Sequence, residues 1–443
     1  MYYFNRETPM ERILRRVLLA GVLWVLILSG CNGDKVGNEI SAAPASLDKS
    51  RNLAPVTSPA TQGPVVDGIN ALGFHLMRDT GGNGVVAPFS ASLSIARLEA
   101  GSNGDTKAAL RALLQTDAAA MDLYAVLNEL DLGINSRIGT ASLGAQPSRG
   151  EAQAWAQARY GYLLSYFDTL VENFGLKPLR VDFDLAPDDQ SQTVAGWATQ
   201  ASGLPTQVTT TKDTRFVLGD AIRLNASWAE PFDPALTETG TFQFIEFLTR
   251  TRVPFMNKSA ILPQTSGDGF VALALPLQGS QQFLIVLPDA GRFHEVRTAL
   301  TSVRLRQIAA ALTPAQVNLA LPKFTLDSTI PLELGVASVK GTADFSALDG
   351  TKELYVSSAA HHSQLSVTEA GLQAGSATLL ALDDLRPETW TSNGFVGYAS
   401  FSSNTEPYFW DTTIIVGRPF IFAVRDTITG AILFLGQLMN PTP

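Results

Sequence analysis

The sequence predicts one large α+β domain. Helical periodicity dominates the upstream half, strand-like apolar runs dominate the downstream half, and no internal repeat or second linker separates them. The 443 residues are 45% apolar and 16% charged, which is ample chain for a sizeable core.

The elements follow in order. Ile69, Leu72, Gly73, Leu76 and Met77 recur at helical spacing. Val85 and Val86 form a short strand-like run before Pro88, and Ala91–Gly101 and Thr106–Leu114 are helix-like. Thr106, with Asp105 ahead of it, suits a helix cap. Leu163, Phe167, Leu170, Val171 and Phe174 mark an amphipathic helix that stops at Gly175. Strands are expected at Phe216–Leu224, Phe270–Leu275 and Phe283–Leu287, the last apolar throughout, as in a strand buried on both faces. Val317–Leu321 alternates. Ile421–Arg425 and Ile432–Leu438 flank Asp426-Thr427-Ile428-Thr429-Gly430, which reads as a hairpin turn.

The N-terminus carries a different signal. Arg6, Arg12, Arg15 and Arg16 precede an apolar run from Val17 to Leu28, too short for a transmembrane helix but suited to a secretory signal. It closes on Leu28-Ser29-Gly30-Cys31, which resembles a bacterial lipobox, and Cys31 is the single cysteine of the chain. The expectation is a signal peptide over 1–30, a lipidated Cys31, and a flexible Ser/Ala/Pro-rich tether over 31–64. The globular domain then runs over 65–443. Such a protein is exported and lipid-anchored at the bacterial envelope, at the outer membrane or cell surface.

Several function classes are excluded by composition. A net charge of -9 disfavours binding to phosphate backbones, so no nucleic-acid partner is expected. One cysteine rules out an internal disulfide framework and Cys-based zinc sites. Four histidines without H-E-x-x-H, and no G-x-x-x-x-G-K-[ST], argue against a metallohydrolase and a P-loop NTPase. No metal or cofactor is expected. Ser46-Leu47-Asp48-Lys49 is a formal S-x-x-K, but it lies in the expected tether, and K-T-G is missing. An exported serine hydrolase of the penicillin-binding type is therefore disfavoured.

Between about Val66 and Pro441 the sequence resembles the serpin family. The most specific stretch is Arg418-Pro419-Phe420-Ile421-Phe422-Ala423-Val424-Arg425-Asp426, followed by Thr429 to Gly436 and by Asn440-Pro441. Asn83 to Ile95, Phe216 to Phe232 with Trp228, Val253-Pro254-Phe255-Met256, Leu287-Pro288-Asp289, Leu321-Pro322-Lys323-Phe324 and Leu354 to Gly371 are further landmarks in the family's order. The resemblance implies three β-sheets, eight or nine helices and an exposed reactive-centre loop. It implies a monomeric protein that is not an enzyme. Its partner is a serine protease, sometimes a cysteine protease, trapped covalently. The protease cleaves the loop, and the loop then inserts as a new strand and drags the enzyme with it.

The same resemblance assigns the loop. Glu369, Gly371, Leu372, Ala374, Ser376 and Thr378 form its hinge. By period two, Leu372, Ala374, Ser376 and Thr378 share one face, and Gln373, Gly375 and Ala377 share the other. Leu372 is larger than usual for the family. The bait residue falls at Leu385, with cleavage before Arg386. Cleavage one residue later would set Pro387 just beyond the bond, which usually blocks trypsin-like enzymes. An apolar pocket is thus expected in the target, with Asp383 and Asp384 rejecting some proteases. The stretch 386–417 is about three times the family's usual length and carries Trp390, Phe395, Tyr398, Phe401, Tyr408, Phe409 and Trp410. An extra hairpin packing these aromatics is one reading. The other is a non-inhibitory serpin-fold protein that binds a partner through them.

His361 falls where the family keeps a histidine beneath its main sheet, the shutter that must open for the loop. Ser90 is retained there, while Ala87, Asp220 and Ala195 replace the family's serine and two asparagines. A His361 facing Asp220 would form a charge-assisted pair. Trp228 marks the breach, where the loop enters. His75, His294 and His362 read as incidental.

Overall fold

A computed structural model describes residues 49–138, 147–244, 250–385 and 413–441. Cys31, Arg386 and the aromatic residues from Trp390 to Trp410 lie outside the described residues. Among the described residues there are nine α-helices: α1 Pro59–Arg78, α2 Pro88–Ala100, α3 Gly104–Leu113, α4 Ala120–Ile138, α5 Leu164–Phe174, α6 Pro187–Ser202, α7 Phe293–Ala299, α8 Ser302–Ala310 and α9 Ser346–Asp349. The strands are β1 Gly84–Val86, β2 Arg149–Gln157, β3 Leu179–Val181, β4 Thr214–Ser227, β5 Glu238–Gln243, β6 Arg250–Gly267, β7 Phe270–Pro276, β8 Gln281–Pro288, β9 Thr313–Pro322, β10 Phe324–Pro331, β11 Leu354–Val367, β12 Gly371–Asp384, β13 Thr413–Ile415, β14 Phe420–Asp426 and β15 Ile432–Leu438.

The strands form a six-stranded sheet, β10-β11-β12-β4-β2-β3, and a nine-stranded one, β1-β15-β14-β8-β7-β6-β9-β13 with β5 on β6. The expected second and third sheets are continuous in hydrogen bonding because they share β6. That 18-residue strand pairs with β5 and β9 along its length and with β7 at its last four residues. The hairpin β14–β15 closes through Gly430, with a left-handed φ of 80°, and the Asp426 carboxylate accepts from Thr429 N–H and hydroxyl at 2.9 and 2.7 Å.

Local chemistry sets the helix ends. Ser58 caps α1 in a reciprocal capping box with Thr61, and Pro59 takes the first helical position. Helix α5 ends at Gly175 in the left-handed region, as the sequence predicts. Thr106, expected as a cap, sits inside α3, which begins at Gly104 with Asn103 at the cap position. Its hydroxyl instead accepts from Asp344 N–H at 2.8 Å.

The start of the domain differs from the expected residue 65. Helix α1 already begins at Pro59, and the preceding segment is pinned to the body. Arg51 donates to Asn128 Oδ1 at 2.8 Å and to Asp131 Oδ2 at 2.5 Å, and Asn52 N–H donates to the Glu172 carbonyl at 2.9 Å. These are side-chain partnerships with α4 and α5 that composition does not reveal.

A second difference is larger. The loop expected to be exposed is strand β12, hydrogen-bonded on both sides in the middle of the six-stranded sheet. An extended segment with alternating small and apolar residues satisfies its backbone on two neighbours and buries its side chains there. Outside, it would do neither.

Candidate functional site: the inserted strand and its surroundings

Strand β12 enters at Gly371. A Cβ built there would lie 2.1 Å from the Ala226 carbonyl oxygen, so only glycine permits so close an approach to β4. Trp228 closes this end: its indole N–H donates to the Thr368 carbonyl at 2.8 Å, and its backbone N–H to Ala370 O at 3.2 Å. Glu369 lies beside it, 2.9 Å from Lys323 Nζ and accepting from Thr237 Oγ1 at 2.9 Å. Burial pulls the Glu369 carboxyl upward, but Lys323 and the hydrogen bonds outweigh it and hold the group below its ordinary value.

The two faces of β12 divide as the alternation predicts. Leu372, Ala374, Ser376, Thr378, Leu380 and Leu382 all point inward and are buried. The larger-than-usual Leu372 is fully buried between Val367 and Ala226. The other face runs beneath α6. Gln373 is exposed, while Gly375 passes under the end of the helix, where a Cβ would meet Ser202 O at 2.4 Å. Ala377, Leu379 and Ala381 then join a small cluster with Trp155, Val194 and Ala198.

At mid-strand, three residues lie side by side across three strands: His361 pairs with Thr378, and Thr378 with Asp220. The inserted strand therefore separates the histidine from the aspartate, and the expected His361–Asp220 pair does not exist here. His361 is fully buried. Its Nε2 accepts from Ala87 N–H at 2.9 Å and lies 2.9 Å from Ser363 Oγ, while Nδ1 lies 2.8 Å from Thr378 Oγ1. Ser363 Oγ in turn reaches Ser376 Oγ at 3.0 Å. An acceptor role for Nε2 requires a neutral ring, and burial drives the His361 pKa down to about 3.

Asp220 finds other partners. Ser90 Oγ donates to its Oδ1 at 2.6 Å, and Arg97 forms a buried ion pair with it. Burial pushes its pKa up to about 6 against the opposing pull of Arg97 and Ser90. Arg97 escaped the sequence reading. The available signal was its spacing: it follows Ser90 by seven residues on α2, two turns along the same face.

Strand β12 ends at the expected bait residue. Leu385 N–H donates to the Glu353 carbonyl at 3.0 Å. At the opposite end of the domain, β13 keeps its place at the edge of the nine-stranded sheet, paired with β9. Lys323, just beyond β9, is the residue that contacts Glu369. A chain of 27 residues joins Leu385 to Thr413 and can reach about 90 Å, against about 46 Å for the inserted strand. An unbroken chain thus accommodates the inserted strand and the edge strand together.

The family model described as serpin (serine protease inhibitor) matches residues 68–441. The chain belongs to the serpin family. It is 26% identical over 448 residues to an uncharacterized serpin-like protein of Thermococcus kodakarensis, covering 96% of this chain and 99% of that one. It is 26% identical over 381 residues to the leukocyte elastase inhibitor of Bos taurus, covering 81% of this chain and 93% of the relative. Among solved structures, a cleaved serpin of 42 Da designation superposes with a TM-score of 0.71 at 20% identity, over 86% of this chain and 97% of that one. A cleaved serpin is a state in keeping with the inserted β12.

Proposed function

We propose that this serpin is a suicide inhibitor of a serine protease with an apolar primary pocket. The bait bond is Leu385–Arg386, and insertion of residues 371–384 traps the acyl-enzyme. The observation that carries the reading is the fit of β12 to its slot. Each inward side chain is either apolar or hydrogen-bonded, and glycine stands at the two tightest approaches. A strand that fits this well gives insertion a driving force, and insertion competes with hydrolysis of the acyl-enzyme. Around the slot, Trp228 and Glu369 act at the entry, and Ser90, Asp220 and His361 line its middle. The mature protein is held at the cell envelope by lipid on Cys31, where one acyl chain anchors marginally and several hold firmly.

The test is incubation of the mature protein with a panel of serine proteases. The expected result is a complex stable in boiling detergent with at least one enzyme of apolar specificity, and mass spectrometry placing the cut after Leu385. Cleavage by every enzyme without such a complex overturns inhibition and leaves a binding protein. For the anchor, Cys31→Ala should release the protein from membranes, and unchanged retention counts against it.

A further inference from the structure

The far end of β12 carries chemistry that the inhibitory reading does not require. Strands β12 and β4 stay in register down to Leu382 opposite Phe216. Asp383 then pairs with Thr214, and Arg215 is the extra residue of a bulge. Bulges re-aim side chains. Arg215 is 1% exposed. One guanidinium nitrogen donates to Asp184 Oδ1 at 3.1 Å and to the carbonyls of Lys212 and Thr214, each at 2.9 Å. Its Nε makes no hydrogen bond and lies 3.5 Å from Asp384 Oδ2. Asp184 is itself half-exposed, so it offsets a buried cation only in part.

Next to Arg215 sits a pair of hydroxyls. Thr214 Oγ1 donates to Asp383 Oδ1 at 2.9 Å, and Thr211 Oγ1 to Oδ2 at 3.4 Å. Thr211 N–H also donates to Thr214 Oγ1 at 2.9 Å, which fixes the hydroxyl before any carboxylate arrives. Asp383 is 8% exposed. A buried carboxylate is costly without such partners, and nothing about strand insertion alone calls for one here.

The geometry points to a receiving site for two consecutive carboxylates, built from Thr211, Thr214 and the buried Arg215, into which Asp383 and Asp384 lock as the last step of insertion. The inference rests on the inhibitory reading for its consequence. The two carboxylates stand immediately before Leu385, so the target protease must accept acidic side chains at the two positions preceding its cut. Loops lacking them would insert without this final hold. The partner class is accordingly a serine protease with an apolar primary pocket flanked by cationic or open subsites.

A double-mutant cycle on the full mature protein tests the lock. The arms are Asp383→Asn with Asp384→Asn, Arg215→Gln, and the combination, read by denaturant unfolding of the loop-inserted form. The loop substitutions change side chains of nearly equal size. The expected result is a tenfold to hundredfold shift (roughly) in the unfolding equilibrium for the asparagine pair, and little further loss when Arg215→Gln is added. Additive losses would mean that Arg215 is merely structural, and would overturn the lock. This readout needs no protease, so it survives failure of the inhibitory reading. In a second arm, the protease trapped by the parent is offered the asparagine variant. The expected outcome is cutting that is no faster, with a larger fraction of protease released. Cutting tenfold faster would overturn the acidic preference.

Discussion

The two faces of the inserted strand solve different problems. The inward face is buried along its whole length and is chemically mixed. Leucines stand at its start and end, and hydroxyls at its middle meet Ser363 and His361. The outward face is graded. It opens on the exposed Gln373, narrows to Gly375 under Ser202, and closes on Ala377, Leu379 and Ala381 beneath α6. Side chains one position apart thus meet opposite environments. A slot of this kind selects strongly by alternation and hardly at all by position along its first few residues.

The largest test exploits that contrast. Ala374 is 6% exposed, between Leu365 and Leu224, while its neighbour Gln373 is exposed. Ala374→Arg would bring an unpaired charge to the inward face at a cost of several kcal/mol. Even about 1.4 kcal/mol on the insertion barrier would slow it tenfold. The variant should be cut at the same bond and release its protease. Gln373→Arg should change the fraction trapped by less than twofold. Comparing the stoichiometry of inhibition for the two variants checks both. Equal trapping by Ala374→Arg and the parent would show that the faces are assigned wrongly or that insertion is not the mechanism.

A smaller effect is expected at the far end of the same face. Leu380 is fully buried between Ala359 and Leu218. Leu380→Ala should cost the loop-inserted form about 2–5 kcal/mol, from lost transfer energy and the cavity left behind. The outward Ala381→Gly, which removes one methyl, should cost about 1 kcal/mol. Denaturant midpoints of the two variants measure the difference, and similar losses would erase the distinction between faces.

Much of this was legible before any coordinates. Alternation alone assigned Leu372, Ala374, Ser376 and Thr378 to one face, because period two is a local property of extended chain. The landmarks from Asn83 to Pro441 fixed the fold, and Gly175 marked a helix end through its own backbone preference. What stayed hidden were relations between distant segments. The loop was expected outside, since a sequence does not say which of two packings a metastable chain occupies. Asp220 was set against His361 because both line the slot, whereas Thr378 stands between them and Arg97 takes the carboxylate. Arg51 and Asn52 looked like tether because their partners lie some 75 to 120 residues away. Arg215 drew no attention because a bulge, invisible in sequence, turns it inward.

The smallest expected effect concerns pH, and it too belongs to the inward face. His361 binds its proton far less readily in the folded protein, near pH 3, than the ordinary 6.5. Below pH 6.5 the unfolded chain therefore holds more protons at this group than the folded one. The stability His361 contributes is complete above pH 6.5 and is lost as pH falls toward 3, at about 1.4 kcal/mol per pH unit. Asp220 acts with the opposite sign. Its folded pKa lies near 6, against an ordinary 3.8, so the folded state holds more protons between those values. Its contribution is complete below pH 3.8 and is lost as pH rises through 6. Asp383, also raised by burial at the end of the strand, adds in the same sense as Asp220. Between about pH 6 and pH 4 the terms oppose one another, so the loop-inserted parent should show a shallow pH profile. His361→Gln removes one side of the balance, and its melting temperature relative to the parent should rise as pH is lowered from 7 to 4. Asp220→Asn removes the other, and should fall relative to the parent over the same interval. Thermal melts of the three proteins in overlapping buffers separate these cases. If the three curves ran parallel, neither group would be titrating from the buried positions that the inserted strand imposes.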